Sequence, residues 1–112
     1  MTNDRELLEL AAKAAGIDAE WFRGCSSLLR RGSTVAEGGL WNPLQDDGDA
    51  LRLAVRLKLD TFFHPSRVEA HVAGGRIPAI SNIAREEYDG DPYAATRRAI
   101  VRAAAEIGKE MK

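Results

Sequence analysis

Residues 41–54, Trp41-Asn42-Pro43-Leu44-Gln45-Asp46-Asp47-Gly48-Asp49-Ala50-Leu51-Arg52-Leu53-Ala54, constrain this chain more than any other stretch. A turn rich in helix-start signals runs straight into an amphipathic segment. The first turn of a helix leaves N–H groups unpaired and carries the positive end of the helix dipole; carboxylates satisfy both. The helix therefore starts with Asn42 as cap and Pro43 at its first position, or at Asp46 or Asp47. Leu51, Ala54 and Val55 form one side of its expected buried face, and Leu53 and Leu57 the other. Arg52 and Arg56 face solvent, and the helix is expected to end near Lys58.

Two more helices flank this one. Asn3 caps the first, over about residues 4–15, with Glu6 at the capping-box position and Gly16 as the left-handed stop. Leu7, Leu10, Ala11 and Ala14 make its apolar stripe, widened by Leu8. Asp91 caps the last helix, Pro92 takes its first position, and an alanine-rich run carries it to about Gly108. Thr96, Ile100, Ala103, Ala104, Ile107 and Met111 recur there at helical spacing. Between the second and last helices the apolar period falls from 3.6 to 2. Thr61–His64 is a short strand candidate broken by Pro65-Ser66. Arg67–Val72 alternates with Val68, Ala70 and Val72 inward. Gly74-Gly75 is a hairpin turn, residues 77–83 return as an edge strand carrying Pro78, and residues 86–90 are a surface loop. Residues 17–40 are interrupted by glycines and read as an irregular, insertion-like segment, with room for a short strand near 20–23 or 29–31. The expectation is a single α+β domain over 1–112, α-β-α sandwich-like, with three helices packed on a small antiparallel sheet of about three strands.

At 112 residues the chain is long enough for a core without disulfide or metal staples. Its net charge of -1 argues against sequence-independent binding to nucleic acid, which needs a basic excess. A single cysteine, Cys25, forms no internal disulfide and suits a reducing compartment. No run is long and apolar enough for a membrane span, and residues 1–6 lack the basic-then-apolar order of a signal peptide. The expected location is the cytoplasm.

Residues 41–54 and 91–108 (Asp91-Pro92-Tyr93-Ala94-Ala95-Thr96-Arg97-Arg98-Ala99-Ile100-Val101-Arg102-Ala103-Ala104-Ala105-Glu106-Ile107-Gly108) resemble segments of small phage- and prophage-encoded proteins of the phage ABA-sandwich domain family. The likeness covers about residues 40–112 and, more weakly, the first helix. It implies the order helix, Trp-Pro turn, helix, short antiparallel sheet, helix, and a phage or prophage setting. The family supplies no activity and no site residues.

No catalytic constellation emerges, and no cofactor is expected. Trp41 with Asp46 and Asp47 makes a candidate recognition surface; the plainer reading is a core tryptophan beside a helix-start charge cluster. The run Asp46-Asp47-Gly48-Asp49 lacks the alternating ligands and distant glutamate of a calcium loop. His64 and His71 with one distant cysteine fall short of a zinc set. Cys25 and the serines sit in no nucleophile motif. Arg97 and Arg98, with Arg102, Arg30 and Arg31, offer phosphates or an acidic partner a basic surface, yet residues 85–112 hold six basic and six acidic side chains. The small-residue face of the last helix packs on the chain's own sheet or makes a dimer seam. The leading expectation is a non-enzymatic accessory protein that binds a host or phage protein, with self-association as a further option. A nucleic-acid-binding module comes second, and a small enzyme or metal protein built on His64, His71 and nearby carboxylates third.

Overall fold

The computed structural model describes residues 3–72 and 83–111. The first helix, α1, spans Asp4–Ala15; Asn3 accepts a hydrogen bond from the Glu6 amide at 2.9 Å, and Gly16 stops the helix at φ 73°. The second, α2, spans Asp47–Leu57 and takes the latest of the starts the sequence allows. Asp46 is its cap, accepting from the Asp49 amide at 2.7 Å. Asn42 and Pro43 lie before the helix, where the Asn42 side chain instead organises the turn by accepting from the Leu44 amide. The last helix, α3, spans Pro92–Glu110, capped by Asp91 and slightly longer than the sequence suggests.

The buried face of α2 differs from expectation. Ala50, Leu53, Ala54 and Leu57 are buried, whereas Leu51 and Val55 are 64% and 66% exposed. The buried set follows the i, i+3, i+4, i+7 rule of one narrow stripe. Leu51 and Val55 lie beside that stripe, where the described residues provide no covering element.

The strands form two antiparallel sheets of three. Residues 60–87 supply the expected one: β4 (Asp60–Phe63), β5 (Arg67–His71) and β6 (Ile83–Glu87), in spatial order β4-β5-β6. Val68, Ala70 and Val72 point inward as their alternation dictates. Residues 86 and 87 belong to β6 rather than to a loop. Their charges hide the strand, because Glu86 faces the helices yet is held there by Arg102 of α3. The expected Gly74-Gly75 turn and the Pro78 segment lie outside the described residues.

The other sheet arises where the sequence reads as irregular. It consists of β1 (Ala19–Phe22), β2 (Ser27–Arg30) and β3 (Leu40–Trp41), in that order. A short 3-10 turn over Arg23–Cys25 and Ser26 in the left-handed region (φ 49°) join β1 to β2. The strands are so short that periodicity barely registers.

The described residues form an α+β fold of three helices and two small sheets. Its centre is α3, which packs against α1, α2, β5 and β6. Ala95, Ala99, Ala103, Ala104 and Ala105 are all buried, and their small size lets several neighbours approach one helix. At Gly108 a Cβ would overlap the Leu10 backbone carbonyl, which marks the tightest crossing of α1 and α3. The alanine face is therefore used inside the molecule and is not a dimer seam. Met111, expected on that face, is 41% exposed.

Candidate functional site

The residues singled out in the sequence do not meet at one place. Trp41 lies on β3 opposite Leu28, is 2% exposed, and belongs to the core. Asp46 is the α2 cap, with Arg52 Nη2 at 3.8 Å. Asp47 and Arg97 do come together: Arg97 Nη1 donates to Asp47 Oδ1 at 2.6 Å, while its Nε donates to the Leu44 carbonyl at 2.9 Å. This clamp ties the turn before α2 to α3. Arg98 reaches the other way, to Asp4 at 3.0 Å. Arg31 pairs with Asp18, and Arg102 with Glu86. Of the arginines of the basic-surface reading, Arg31, Arg97, Arg98 and Arg102 thus hold intramolecular carboxylate partners, and Arg30 does not among the described residues.

Asp49 has a role the sequence does not announce. It is buried, accepts from the Asn42 amide at 3.0 Å and pairs with Arg52 at 2.8 Å. Only two of the three aspartates are thus free to face solvent. Among the described residues no group of His, Cys, Asp and Glu side chains is arranged to hold a metal ion.

Cys25 is exposed on the 3-10 turn, at the rim of a cleft of about 490 Å³ that Asp4, Trp21, Ser26, Asn42 and Gln45 help line. Among the described residues the lining holds no histidine. A second cleft, of about 310 Å³, gathers Arg30, Arg52 and Arg56 over Ile17, Trp41 and Leu53. Arg52 is neutralised by Asp49. Among the described residues, Arg30 and Arg56 have no carboxylate partner.

The densest arrangement of charge lies on the outer face of the second sheet. Helix α3 covers the inner face, where Val68 and Ala70 are fully buried. On the outer face the strand register sets side chains in three rows: His64-Arg67-Glu87, Phe62-Glu69-Arg85 and Asp60-His71-Ile83. Glu69 stands at the centre, on the middle strand. Arg67 and Arg85 direct Nε to its Oε2 at 3.1 and 3.2 Å. His71 Nε2 lies 3.0 Å from Oε1; a carboxylate only accepts, so this nitrogen carries the proton. His64 Nε2, shielded from solvent and without a hydrogen-bond partner among the described residues, lies 3.6 Å from Oε2. Phe62, directly opposite Glu69, sets its ring edgewise to His71 with centroids 4.7 Å apart.

Glu69 is 8% exposed although no helix of the described residues covers it. Its neighbours wrap it, and the hydrogen bond from His71, then that from Arg67, hold its carboxyl at about 2, well below the usual carboxylate range. Desolvation opposes this and loses, while Arg85 and His64 add attraction. Sequence reasoning placed His64 and His71 apart and passed over Glu69. The available signal was the i±2 spacing of Arg67, Glu69 and His71, which puts all three on one face of a strand.

Both oxygens of Glu69 are committed, Oε2 to Arg67 and Arg85 and Oε1 to the His71 N–H, which leaves it unsuited to ligate metal or to move a proton near neutral pH. Beside this locked centre, on the same face, Phe62 and Ile83 are 48% and 43% exposed, and Phe63, which shares the face of Val68, is 67% exposed at the β4 edge. Both β4 and β6 are edge strands of the described sheet.

No protein-family model, curated protein or solved structure matches this chain.

Proposed function

We propose that the protein is a non-enzymatic binding module whose docking surface is the outer face and β4 edge of its second sheet, and that its partner is another protein. The observation that carries this reading is the exposure of Phe62 and Ile83 beside an internally paired ion cluster on the outer face, with Phe63 exposed at the adjoining β4 edge. Aromatic side chains beside an open strand edge supply apolar contact and backbone hydrogen bonds together. The likeness of residues 41–54 and 91–108 to phage ABA-sandwich proteins supplies the setting we propose, a phage or prophage accessory protein acting in the bacterial cytoplasm on a host or phage protein. Affinity capture with tagged protein, with and without nuclease, compares wild type with Phe62→Lys. A protein retained after nuclease by wild type and lost with the variant supports the reading; capture unaffected by the substitution refutes this face.

A nucleic-acid reading has one specific observation behind it, the convergence of Arg30 and Arg56 at the second cleft. Phosphate contacts release counterions, so such binding weakens steeply with salt. Titrating labelled DNA and RNA at two salt concentrations against wild type and Arg30→Gln/Arg56→Gln tests it.

A further inference from the structure

We propose that the β4 edge joins a second copy of this chain, strand β4 to strand β4, antiparallel about a two-fold axis through Phe62. This rests on the binding reading above for the docking edge and assigns that edge to a second copy of the chain. The phase of the β4–β5 ladder decides which backbone groups are free. The His64 amide donates to the Arg67 carbonyl at 2.8 Å. Antiparallel ladders alternate, so Phe62 and Asp60 share that phase and turn their N–H and C=O groups toward β5. Thr61 and Phe63 turn theirs to the open edge.

Only one register uses both outward residues of each copy. Setting Thr61 opposite the partner's Phe63 forms two reciprocal pairs and hence four N–H···O bonds. Setting Phe63 opposite itself brings Thr61 against the partner's Pro65, which has no N–H to give. Setting Thr61 opposite itself carries Phe63 past the end of the strand, to the partner's Leu59. The favoured register then fixes the side chains. Phe62 meets its own copy at the axis, where opposed side chains of a non-hydrogen-bonded pair approach most closely. Asp60 stands opposite the partner's His64 on the same face, acid against base, at both ends of the seam. No like charges are opposed. The strand carries no lysine or proline within Asp60–Phe63 to blunt its edge. The product is a continuous six-stranded sheet, with exposed phenylalanines drawn into its middle.

Sedimentation velocity over a wide concentration range tests the proposal. Wild type is expected to sediment as a dimer that dissociates on dilution. Thr61→Pro removes two of the four seam donors and none that β5 uses, and should weaken dimerisation by about tenfold or more with an unchanged far-UV circular dichroism spectrum. Because proline also restricts the backbone, a second test avoids it. In a Cys25→Ser background, Phe62→Cys should oxidise to a disulfide-linked dimer, since the pair at the axis falls within disulfide reach. Phe63→Cys, which faces the partner's Thr61, should cross-link far more slowly. A wild type that is monomeric throughout, a dimer that survives Thr61→Pro intact, or preferential cross-linking through Phe63→Cys overturns the proposal. A monomer that still captures another protein through Phe62 would leave the binding reading standing and self-pairing refuted; a monomer that captures nothing removes both.

Discussion

Glu69 shows how far one side chain can depart from its ordinary behaviour without entering a core. Its carboxyl is held at about 2 against an ordinary value of 4.5, chiefly by His71 and Arg67. A depressed carboxyl stabilises the fold fully above the unfolded value, and the contribution disappears as pH falls through the folded one. The window is therefore about pH 4.5 down to about 2. Thermal melts across that range should show Glu69→Gln well below wild type at neutral pH, with the gap closing as the acid limb is reached. A gap that is constant with pH would mean the ion cluster contributes nothing. Trp41 makes the opposite point. At 2% exposure it is a core residue, and Trp41→Ala should cost about 3–5 kcal/mol in denaturant unfolding. As a surface anchor it would have cost binding and little stability.

At the scale of elements, helix ends were legible and helix faces less so. Caps are local, and Asn3, Asp46 and Asp91 all act within three residues of themselves. The buried face of α2 depends on what stands beside it, which no local pattern specifies. Leu51→Lys is accordingly expected to change unfolding free energy by no more than about 0.5 kcal/mol; a loss of several kcal/mol would mean the side chain is covered. Gly108 gives a contrasting case within α3. Alanine is ordinarily the better helix former, yet Gly108→Ala places a methyl against the Leu10 carbonyl and should destabilise by about 1–3 kcal/mol, read by the same melts. Strands were legible where alternation was apolar, as in β5. In β6 the inward positions are Ala84 and Glu86, and the pattern dissolves into charge.

For the whole molecule, the amino-acid sequence determined the α+β class, three helices in the right places, strand candidates where β4 and β5 lie, and the inward set Val68, Ala70 and Val72. These follow from periodicity and capping, which act over a few residues. Tertiary structure alone decided the rest. It built a second sheet from residues 19–41, because strands of two to four residues exist only through their partners. It spent the alanine face of α3 on α1, α2 and the β4-β5-β6 sheet, and it spent Asp47, Arg97 and Arg98 on clamps between segments far apart in the chain. It also set Glu69 among Arg67, Arg85, His64 and His71 beside an open phenylalanine-bearing edge. A site of this kind is an arrangement of three strands in register, and register is fixed by long-range pairing that residue order does not display.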